Sequence, residues 1–468
     1  MLAAAQADTN KWTPPAPQHY AFVHSDENVI KQQGALDSVF RKLVALHTTH
    51  HGKVSIVHIG DSHIQGDGIT SVLRNGFRQY FGDAGRGLVF PYQLAGSNAP
   101  HDVSASSNTS WRNNRLSISG STVRTGICGY GIESNKENAM VHMELKNIDG
   151  RQESFDRMVF FLGKDKAFYN VTDSSLTTLP SIETHDGMDA PSLVFETDSL
   201  LTGFRLTRTV FSPQSDYCFY GVSLEHKNDD GVIYHTIGVN GARYDQYTDN
   251  ELFWEQLKAL HGDLFIISMG TNEAQNRQIN EQGLIAVCEA FVKKLHAVAP
   301  NAEVLITTPA GSYYKMRKPN ASVQAVSHAL VHFCEERGYA YWDLDHITSD
   351  KAGAAAWKKN GLMSHDLVHY DAAGYQLQGD LLLNAFAKAY NSYAKTHPYK
   401  APKTKPAEKT KTQKAGTKKP TGTTKDKPAP VGNVSGIDPE VIPKAATASK
   451  FDSIPPPHTK KLKVEYSK

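Results

Sequence analysis

The sequence predicts an α/β protein in which helices cover both faces of a parallel β-sheet, with an inserted all-β module and a polar tail. Three observations lead to this prediction. Strand-like apolar segments alternate with segments of helical periodicity over residues 30–81 and 231–398. Short alternating segments, punctuated by Gly, Asn, Asp and Ser, fill residues 82–230. Lys and Pro are prominent in residues 399–468, where a packed core is not expected.

The α/β part is expected to begin after a polar, Pro-rich N-terminal arm, residues 1–29, which we expect to lie outside the core. Helical spacing of apolar residues predicts a helix over 30–47, and the β-branched run KVSIVHIG predicts a strand over 53–60 that is buried on both faces. Another helix is expected over 69–81. The later strands are expected at 232–239, 263–269, 303–308 and 339–344, and the later helices at 250–260, 282–298, 321–337 and 372–393. Strands that alternate with helices indicate βαβ units and therefore a parallel sheet.

The segment 82–230 has the pattern of a β-sandwich inserted after the first βα unit. Its strands are expected at 115–118, 140–145, 157–162, 192–195, 203–206 and 217–224. Trp111, Arg112 and Arg115 are a candidate sugar-contacting patch in this module. The competing interpretation is that Trp111 is an ordinary core residue of a β module.

Composition and charge limit the classes of protein to which this chain can belong. The chain has 468 residues, 40% of them apolar, which is typical of a globular protein, and it has no apolar run long enough to span a membrane. Residues 400–468 hold sixteen Lys and six acidic residues, so a basic tail follows a mildly acidic body. This distribution is not typical of nucleic-acid-binding proteins. The tail is expected to be disordered and to be attracted to an anionic polymer of the cell envelope.

The N-terminus suggests a compartment. Residues 1–7 read MLAAAQA, and Ala5-Gln6-Ala7 fits the small-x-small pattern of a signal-peptidase site. A charged n-region and a full apolar h-region are missing, so we interpret the segment as the remnant of a leader. Export to the periplasm or cell envelope is therefore expected. The competing interpretation is an Ala-rich, frayed terminus.

The sequence indicates no metal or cofactor site. The spacings of the four cysteines match no zinc or CxxC pattern (Cys128, Cys218, Cys288 and Cys334). Their even number permits disulfides without indicating them, and Cys288 and Cys334 fall in expected helices as small core residues. His58, His63 and His365 show no metal-ligand spacing either.

A candidate nucleophile, Ser62, follows the expected strand 53–60 in the motif Gly60-Asp61-Ser62-His63. A serine directly after a buried parallel strand lies at the carboxyl end of the sheet, where open α/β folds bind ligands. Its hydroxyl is a weak nucleophile unless a base removes the proton. An isolated Gly-Asp-Ser would be a structural turn, so the interpretation depends on whether the chain supplies a base.

A candidate base and its carboxylate lie near the end of the α/β part. Asp366 and His369 are three residues apart in a segment before the last expected helix. This spacing lets the carboxylate accept the Nδ1 proton of the imidazole, which leaves Nε2 free to take the serine proton. Asp61, His63 and His365 are close in sequence to these residues, and we interpret them as structural rather than as proton carriers.

Acyl transfer also needs donors for the developing oxyanion, and two candidates follow expected strands. Asn272 occurs in Met269-Gly270-Thr271-Asn272-Glu273 and could donate its side-chain amide, although Asn is also a common cap of a turn. Gly241 occurs in Gly238-Val239-Asn240-Gly241-Ala242 and could donate its N–H, although Gly238 is an alternative. The N–H of Ser62 would be a third donor.

These segments, taken in order, resemble the SGNH (GDSL-like) hydrolase superfamily. GDSH, a Gly after a strand, GTNE and DLVH look like its four consensus blocks, over residues 53–81 and about 232–395. Two positions depart from the family pattern. The first block commonly has Leu where this chain has His63, and the third commonly ends in Asp where this chain has Glu273.

The resemblance implies a flavodoxin-like three-layer α/β/α fold and catalysis without a cofactor. It implies Ser62 as the nucleophile, with Asp366 and His369 completing the triad. It also implies that Gly241 and Asn272, with the Ser62 N–H, form the oxyanion hole. These residues form the candidate active site.

The GDSH variant with a β insert is similar to bacterial peptidoglycan O-acetylesterases, whose insert resembles a carbohydrate-binding module. The favoured function is therefore removal of O-acetyl groups from an envelope glycan, with peptidoglycan as the favoured polymer and the acetylated glycan as the expected partner. The alternatives are a glycan O-acetyltransferase with the same triad, another carbohydrate or lipid acylesterase, and a glycan-binding protein whose α/β domain is only a scaffold.

Overall fold

The computed structural model describes residues 11–400, except for 149, 164–168, 174–180, 185–191, 209–216, 229, 277 and 349–352. The proposed leader remnant and the expected disorder of the tail from residue 401 therefore lie outside the described residues. Within the described residues, no helix combines the length and the apolar character needed to cross a membrane.

Strands and helices alternate through the first and last thirds of the described chain, and strands dominate between them. The strands are β1 (Lys53–Gly60), β2 (Gly85–Val89), β3 (Val103–Ser106), β4 (Arg112–Arg115), β5 (Tyr130–Ser134), β6 (Met140–Leu145), β7 (Phe155–Leu162), β8 (Tyr169–Thr172), β9 (Ser181–Thr184), β10 (Ser192–Leu201), β11 (Gly203–Arg208), β12 (Tyr217–Glu225), β13 (Gly231–Gly238), β14 (Leu264–Ser268), β15 (Glu303–Thr307), β16 (Tyr313–Tyr314), β17 (Lys318–Pro319) and β18 (Ala340–Trp342). The helices are α1 (Asp37–Thr49), α2 (Ser62–Gln65), α3 (Gly68–Phe81), α4 (Tyr244–Thr248), α5 (Glu251–Leu257), α6 (Glu281–Val298), α7 (Ser322–Arg337), α8 (Leu344–Thr348), α9 (Ala354–Lys359) and α10 (Ala372–Thr396). Short 3-10 turns occupy Gln33–Leu36, Tyr92–Ala95, Lys258–Leu260 and Glu273–Gln275.

The central sheet has five parallel strands in the order β13-β1-β14-β15-β18. β1 lies between β13 and β14, paired from Lys53–Gly231 to Gly60–Gly238 on one side, and every residue after Lys53 is buried. This order confirms the predicted flavodoxin-like sheet. The chain passes from β1 to β13 on one side of β1 and then continues to β14 on the other side. The crevice between β1 and β14 is therefore the topological switch point, where such folds bind ligands.

Helices cover both faces of this sheet and complete the three-layer α/β/α architecture. α1, α3 and α10 pack on one face, where the ring of Phe386 lies 5.4 Å from that of Phe40 and 4.9 Å from that of Phe77. α5, α6 and α7 cover the other face. Each fully buried Phe or Leu contributes roughly 1.5–3 kcal/mol, so the amphipathic faces of these helices hold the sheet in place.

The N-terminal arm is expected from the sequence to lie outside the core, but part of it is buried. Trp12 is only 4% exposed and lies 5.0 Å from the rings of both Phe77 and Phe81. The side chain of Asn391 accepts the Trp12 N–H at 2.9 Å and donates to the Trp12 carbonyl at 2.7 Å. Trp12 therefore packs the start of the arm against α3 and α10.

The insert is an antiparallel β-sandwich, as predicted. One sheet runs β4-β5-β12-β7-β10-β9 with β2 added to β12, and the other runs β3-β6-β11-β8. Phe160 of the first sheet and Phe204 of the second lie 5.1 Å apart between the sheets. The prediction of a strand at 115–118 is wrong, because the strand β4 ends at Arg115 and the chain then turns.

The strand β2 has no recognisable strand pattern in the sequence, because it contains two glycines that the packing requires. Gly85 and Gly87 have φ angles of 123° and 80°. A Cβ on Gly85 would lie 2.5 Å from Glu225 Cα, and one on Gly87 would lie 2.6 Å from the Tyr234 carbonyl oxygen. Glycine weakens the pattern by which a strand is recognised, while here it permits close contact between backbones.

The insert and the α/β part share one hydrophobic core. A single cluster of buried side chains includes Leu88 and Phe90 of the insert together with Ile237 and Phe265 of the central sheet. The insert is therefore seated on the sheet through buried apolar contacts, and its loops have a fixed position beside the carboxyl ends of β1 and β13.

Candidate active site

Ser62 stands at the carboxyl end of β1, as the sequence predicted. β1 ends at Gly60, and the carboxylate of Asp61 accepts the His63 N–H at 3.0 Å to cap the short helix α2. A Cβ on Gly60 would lie 2.4 Å from a side-chain carbon of Ile64 and 2.5 Å from the Ser268 carbonyl oxygen. Glycine at position 60 thus permits the tight turn that presents Ser62 at the switch point.

The structure brings Ser62, Asp366 and His369 together in one hydrogen-bonded row. Ser62 Oγ lies 2.8 Å from His369 Nε2, and His369 Nδ1 lies 2.6 Å from Asp366 Oδ2. With the proton of the imidazole on Nδ1, Asp366 accepts it and Nε2 is free to accept the proton of Ser62. This geometry allows His369 to act as a general base towards Ser62.

A compact loop holds the two downstream residues. Asp366 Oδ1 accepts the N–H groups of Val368 and His369 at 3.0 and 2.9 Å, and the Ser364 N–H donates to the His369 carbonyl at 2.9 Å. Leu367 adopts a left-handed conformation with φ of 57°, which folds the loop back on itself. The backbone therefore orients both the carboxylate and the imidazole.

The carboxyl group of Asp366 is kept in its charged form. Partial burial by itself raises its pKa, but hydrogen bonds from the His369 ring and from the Val368 and His369 N–H groups outweigh this and lower the pKa below its ordinary value. A carboxylate that is charged at neutral pH can stabilise the imidazolium that forms when His369 takes a proton.

Asn272 lies between the loops that follow β1 and β13. Its side-chain amide donates to the Ala242 carbonyl at 2.9 Å and to Asp61 Oδ2 at 3.3 Å. It precedes the 3-10 turn Glu273–Gln275, but its side chain does not cap that turn. The amide is therefore held next to the segments that carry Ser62 and Gly241, rather than serving the cap that the alternative interpretation assigned to it.

The two glycines after β13 have different structural roles. Gly241 has a φ of 79°, and a Cβ there would meet nothing closer than Ser117 Oγ at 3.6 Å. Gly238 has no such φ, but a Cβ there would lie 2.1 Å from the Gln65 N. Within the described residues, the N–H groups of Gly241 and Ser62 donate to no protein acceptor, so both are available to a ligand.

These roles predict different outcomes for two alanine substitutions. Gly241→Ala is expected to cost about 1 kcal/mol of unfolding free energy through its left-handed φ and to retain ester hydrolysis within about tenfold, since its N–H remains. Gly238→Ala is expected to cost about 3 kcal/mol or more, because it pushes α2 and Ser62 off the sheet. Urea denaturation and p-nitrophenyl acetate hydrolysis measure both. Equal losses in the two variants would contradict this assignment.

Gln65 is a residue of the site that the sequence analysis missed. It is 1% exposed, and its carbonyl oxygen accepts the Asn240 N–H at 2.8 Å and the Tyr130 hydroxyl at 2.9 Å. Its amide donates to the Ser97 hydroxyl at 2.9 Å and to the Asn98 carbonyl at 2.8 Å. Gln65 thereby fixes the loop of Gly241 against α2 and against the insert. Its position one helical turn after Ser62 was the available signal.

Glu273, where the family pattern has Asp, also has a defined partner. Its carboxylate accepts the Tyr244 N–H at 2.9 Å, at the start of α4. Burial raises the pKa of Glu273, and the hydrogen bonds from backbone N–H groups oppose this effect. The longer side chain therefore connects the loop of Asn272 to the loop that follows β13.

The histidines near the site have structural partners. His63 lies 5.1 Å from the His369 ring and contacts the Tyr375 hydroxyl at 3.2 Å, and burial lowers its pKa to about 3. His58 lies between the Tyr234 hydroxyl at 2.8 Å and the Ser268 hydroxyl at 2.6 Å, and burial lowers its pKa to about 3 as well. His365 is exposed. In the described part of the chain, no three or more His, Cys, Asp or Glu side chains are grouped as metal ligands.

Trp111 is a core residue rather than a sugar-stacking platform. It is 8% exposed, packs edge-on against Tyr217 at 5.0 Å, and donates its indole N–H to Ser107 at 2.8 Å. The alternative, buried interpretation of Trp111 is therefore the correct one. The four cysteines are free thiols, and Cys288 and Cys334 are buried in α6 and α7.

Asp61 should make stability depend on pH. Burial raises its pKa from 3.8 to about 7, although hydrogen bonds from backbone N–H groups oppose this. The folded protein thus holds a proton that the unfolded chain releases between about pH 4 and pH 7, so this group's contribution to stability is present at low pH and lost as the pH rises through that interval. The loss should be on the order of a few kcal/mol. Asp61→Asn should remove this pH dependence. In thermal denaturation, the stability of the variant relative to that of the wild-type protein should therefore increase from pH 5 to pH 8. A constant difference would contradict this.

Comparison with known proteins agrees with the fold. Residues 198–377 match the GDSL-like Lipase/Acylhydrolase family. The match includes Gly241, Asn272, Asp366 and His369, and it does not include Ser62, which the insert separates from them in sequence. No curated protein matches the chain.

Among solved structures, a peptidoglycan O-acetylesterase matches with a TM-score of 0.62 at 19% identity, covering 79% of this chain and 98% of its own. A lipase/acylhydrolase from Enterococcus faecalis matches with a TM-score of 0.26 at 16% identity, covering 34% of this chain and 77% of its own. A carbohydrate esterase family 3 protein from Talaromyces cellulolyticus matches with a TM-score of 0.26 at 15% identity, covering 35% and 73%. The first match extends over both the α/β part and the insert, since it covers most of the chain. Residues 198–377 are therefore similar to GDSL-like lipases and acylhydrolases, an ester-hydrolysing class, and the chain resembles a peptidoglycan O-acetylesterase in its fold.

Proposed function

We propose that the protein is an exported serine esterase that removes O-acetyl groups from a cell-envelope glycan, with peptidoglycan as the favoured polymer. The observation that carries this proposal is the row of Ser62, His369 and Asp366, with 2.8 and 2.6 Å between their polar atoms, at the switch point of the sheet. The chain's similarity to a peptidoglycan O-acetylesterase supports the choice of substrate.

The reaction begins when Ser62 Oγ attacks the acetyl carbonyl carbon and its proton passes to His369 Nε2. A new bond forms between Oγ and carbon, and the carbonyl electrons move onto the oxygen. The N–H groups of Ser62 and Gly241 and the amide of Asn272 donate to this oxyanion. Asp366 stabilises the positive charge on His369.

The intermediate collapses when the bond between the acetyl carbon and the sugar oxygen breaks. His369 gives its proton to that oxygen, so the glycan leaves with a free hydroxyl and the acetyl group remains on Ser62. Water then attacks the acetyl-enzyme while His369 takes its proton, and acetate leaves as Ser62 regains a hydrogen. Asn272 must turn from the Ala242 carbonyl or share its donor to reach the oxyanion, because that carbonyl accepts it at 2.9 Å.

The exposure of the site favours a large substrate. The side chains of Asp366 and His369 are 49% and 37% exposed, so the reacting atoms lie near the protein surface. A polymer can approach such a surface without entering the protein.

The basic tail supports the proposed location. Its sixteen lysines would be attracted to an anionic envelope polymer and would raise the local concentration of the enzyme at its substrate.

The test is acetate release from O-acetylated peptidoglycan and from p-nitrophenyl acetate. We expect the wild-type protein to release acetate from both. Cleavage of the small ester alone would indicate that the protein is an esterase with a substrate other than peptidoglycan. If acetate is released from neither while the acetyl group of the small ester appears on an added glycan, the protein is an O-acetyltransferase. If neither ester is consumed, yet the protein sediments with the insoluble polymer, the glycan-binding alternative is favoured.

A further inference from the structure

The hairpin of β16 and β17 lies beside the loop that carries Asp366 and His369. The N–H of Tyr313, in the first strand of the hairpin, donates to the Leu367 carbonyl of that loop at 2.8 Å. Three residues of extended chain span about 10 Å at most, so the tip of the hairpin at Met316 lies within about that distance of Tyr313. A partner that binds the tip is therefore held close to the catalytic loop.

The turn at the tip is formed by residues that do not favour its conformation. Lys315 and Met316 have φ angles of 49° and 57°, and the Arg317 N–H donates to the Tyr314 carbonyl at 3.1 Å. Two consecutive left-handed residues are typical of a type I′ turn, for which Asn-Gly is a common sequence. Lys and Met pay a steric cost in this conformation. The turn itself does not explain these two side chains, whereas a contact that they make with a partner would.

The side chains of the hairpin combine an apolar group with positive charge. Met316 is 49% exposed and lies between Lys315 and Arg317, which are both exposed. Lys318 follows them and is exposed too. Lys358 of α9 lies over a tyrosine ring at the base of the hairpin, 5.1 Å from its centre. None of these four basic residues forms an ion pair with another described residue, so their charges are available to an anionic partner.

The charge of the hairpin is also unopposed in the sequence, because no acidic residue occurs from Pro309 to Cys334. A polyanion in solution would contact the basic residues but would leave Met316 in water. An anionic lipid surface would use both features, because its headgroups attract Lys and Arg while an apolar side chain enters the boundary between headgroups and acyl chains. The exposed methionine at the tip therefore favours a membrane surface over a polyanion in solution.

We propose that the β16–β17 hairpin docks on an anionic phospholipid surface. Met316 enters the headgroup region, and Lys315, Arg317 and Lys318 contact lipid phosphates. This goes beyond the proposed function, because the partner is a membrane rather than the glycan, and docking would hold the catalytic loop near the membrane. The sixteen lysines of residues 400–468 would be attracted to the same surface, so the test must separate the hairpin from the tail.

The first experiment measures whether the tip enters the membrane. Met316→Trp adds an indole to the five native tryptophans of the full-length protein, and the wild-type spectrum is subtracted. With vesicles of equal parts phosphatidylglycerol and phosphatidylcholine, we expect its emission to shift to the blue and to be quenched about twofold or more by brominated acyl chains. Leu200→Trp is the matched control, because Leu200 is 62% exposed but lies in β10 of the insert. Its emission should not change.

The second experiment measures the contribution of charge by sedimentation with the same vesicles. The double variant Arg317→Glu/Lys318→Glu should weaken binding of the full-length protein by about tenfold or more. The double variant Lys136→Glu/Lys146→Glu makes the same change in net charge at two exposed lysines of the insert and should weaken binding by less than about threefold. Circular dichroism and thermal denaturation of each variant establish that it is folded.

Three results would overturn the proposal. The wild-type protein could fail to bind the vesicles. The two double variants could weaken binding equally while the indole of Met316→Trp stays in water, which would assign vesicle binding to the tail. The hairpin double variant alone could weaken binding while that indole stays in water, which would indicate a polyanion in solution as the partner of the hairpin. None of these measurements depends on ester turnover, so their outcome is separate from the test of the esterase.

Discussion

Ser62→Ala is expected to lower kcat/KM for p-nitrophenyl acetate and for an O-acetylated glycan by about 10⁴-fold or more. The substitution removes the oxygen that would bond to the acetyl carbon. It leaves β1, the turn at Gly60 and the 2.6 Å contact between His369 and Asp366 in place, since none of these depends on the hydroxyl. The free energy of unfolding should change by no more than about 1 kcal/mol.

The control for this prediction is Ser71→Ala, which removes a half-buried hydroxyl from α3 that hydrogen-bonds only locally, to the Gly68 carbonyl at 3.3 Å. Its kinetics should match those of the wild-type protein. Acid quenching of the wild-type reaction should also trap an acetyl group on the peptide that contains Ser62, detectable by mass spectrometry. A Ser62→Ala protein that keeps its rate within about tenfold would exclude the serine as the nucleophile.

The α/β part could be predicted from the sequence because its elements have strong local patterns. β1 was expected at 53–60 and occupies Lys53–Gly60, and α6 was expected at 282–298 and occupies Glu281–Val298. A strand buried on both faces is a continuous apolar run, and a helix with one apolar face has a clear period. The order of the strands follows from the alternation of these elements.

Elements that depend on distant contacts could not be predicted. β5 (Tyr130–Ser134) contains a glycine and a glutamate, and β3 (Val103–Ser106) alternates small and polar residues. Their strand conformation comes from pairing with β12 and β6, far along the chain. The burial of Trp12 likewise depends on α10, more than 370 residues away. No local sequence pattern indicates such contacts.

The candidate site divides in the same way. Ser62, Asp366 and His369 could be proposed as a catalytic triad because these three residue types, in this order, are typical of acyl transfer by a serine nucleophile. The groups that support them are less visible in the sequence. Gln65 connects Asn240 to the loop at Ser97, which belongs to the insert, and this contact joins three segments distant in sequence. The insert could be seen as a separate module in the sequence, whereas its contacts make it a support of the site.

Asp366→Asn is expected to lower kcat by about 10³–10⁴-fold with little change in KM. The asparagine carbonyl can still accept the Val368 and His369 N–H groups, so the loop should keep its shape. Its NH₂ group would face His369 Nδ1, where the carboxylate stood at 2.6 Å. Two donors cannot meet, so the imidazole should shift its proton to Nε2. That nitrogen would then point an N–H at Ser62 and could not accept the serine proton.

Asp371→Asn is the matched control for this prediction, because it makes the same change five residues away in the same segment. Asp371 caps α10 by accepting the Gly374 N–H at 2.7 Å, and asparagine caps helices about as well as aspartate. The control should therefore retain the wild-type kcat. If Asp366→Asn and Asp371→Asn have the same kinetics, Asp366 does not orient the base, and the 2.6 Å contact is structural only. If only Asp366→Asn is impaired while its thermal stability stays close to that of the control, the loss lies in the tautomer of His369 rather than in the fold of the loop.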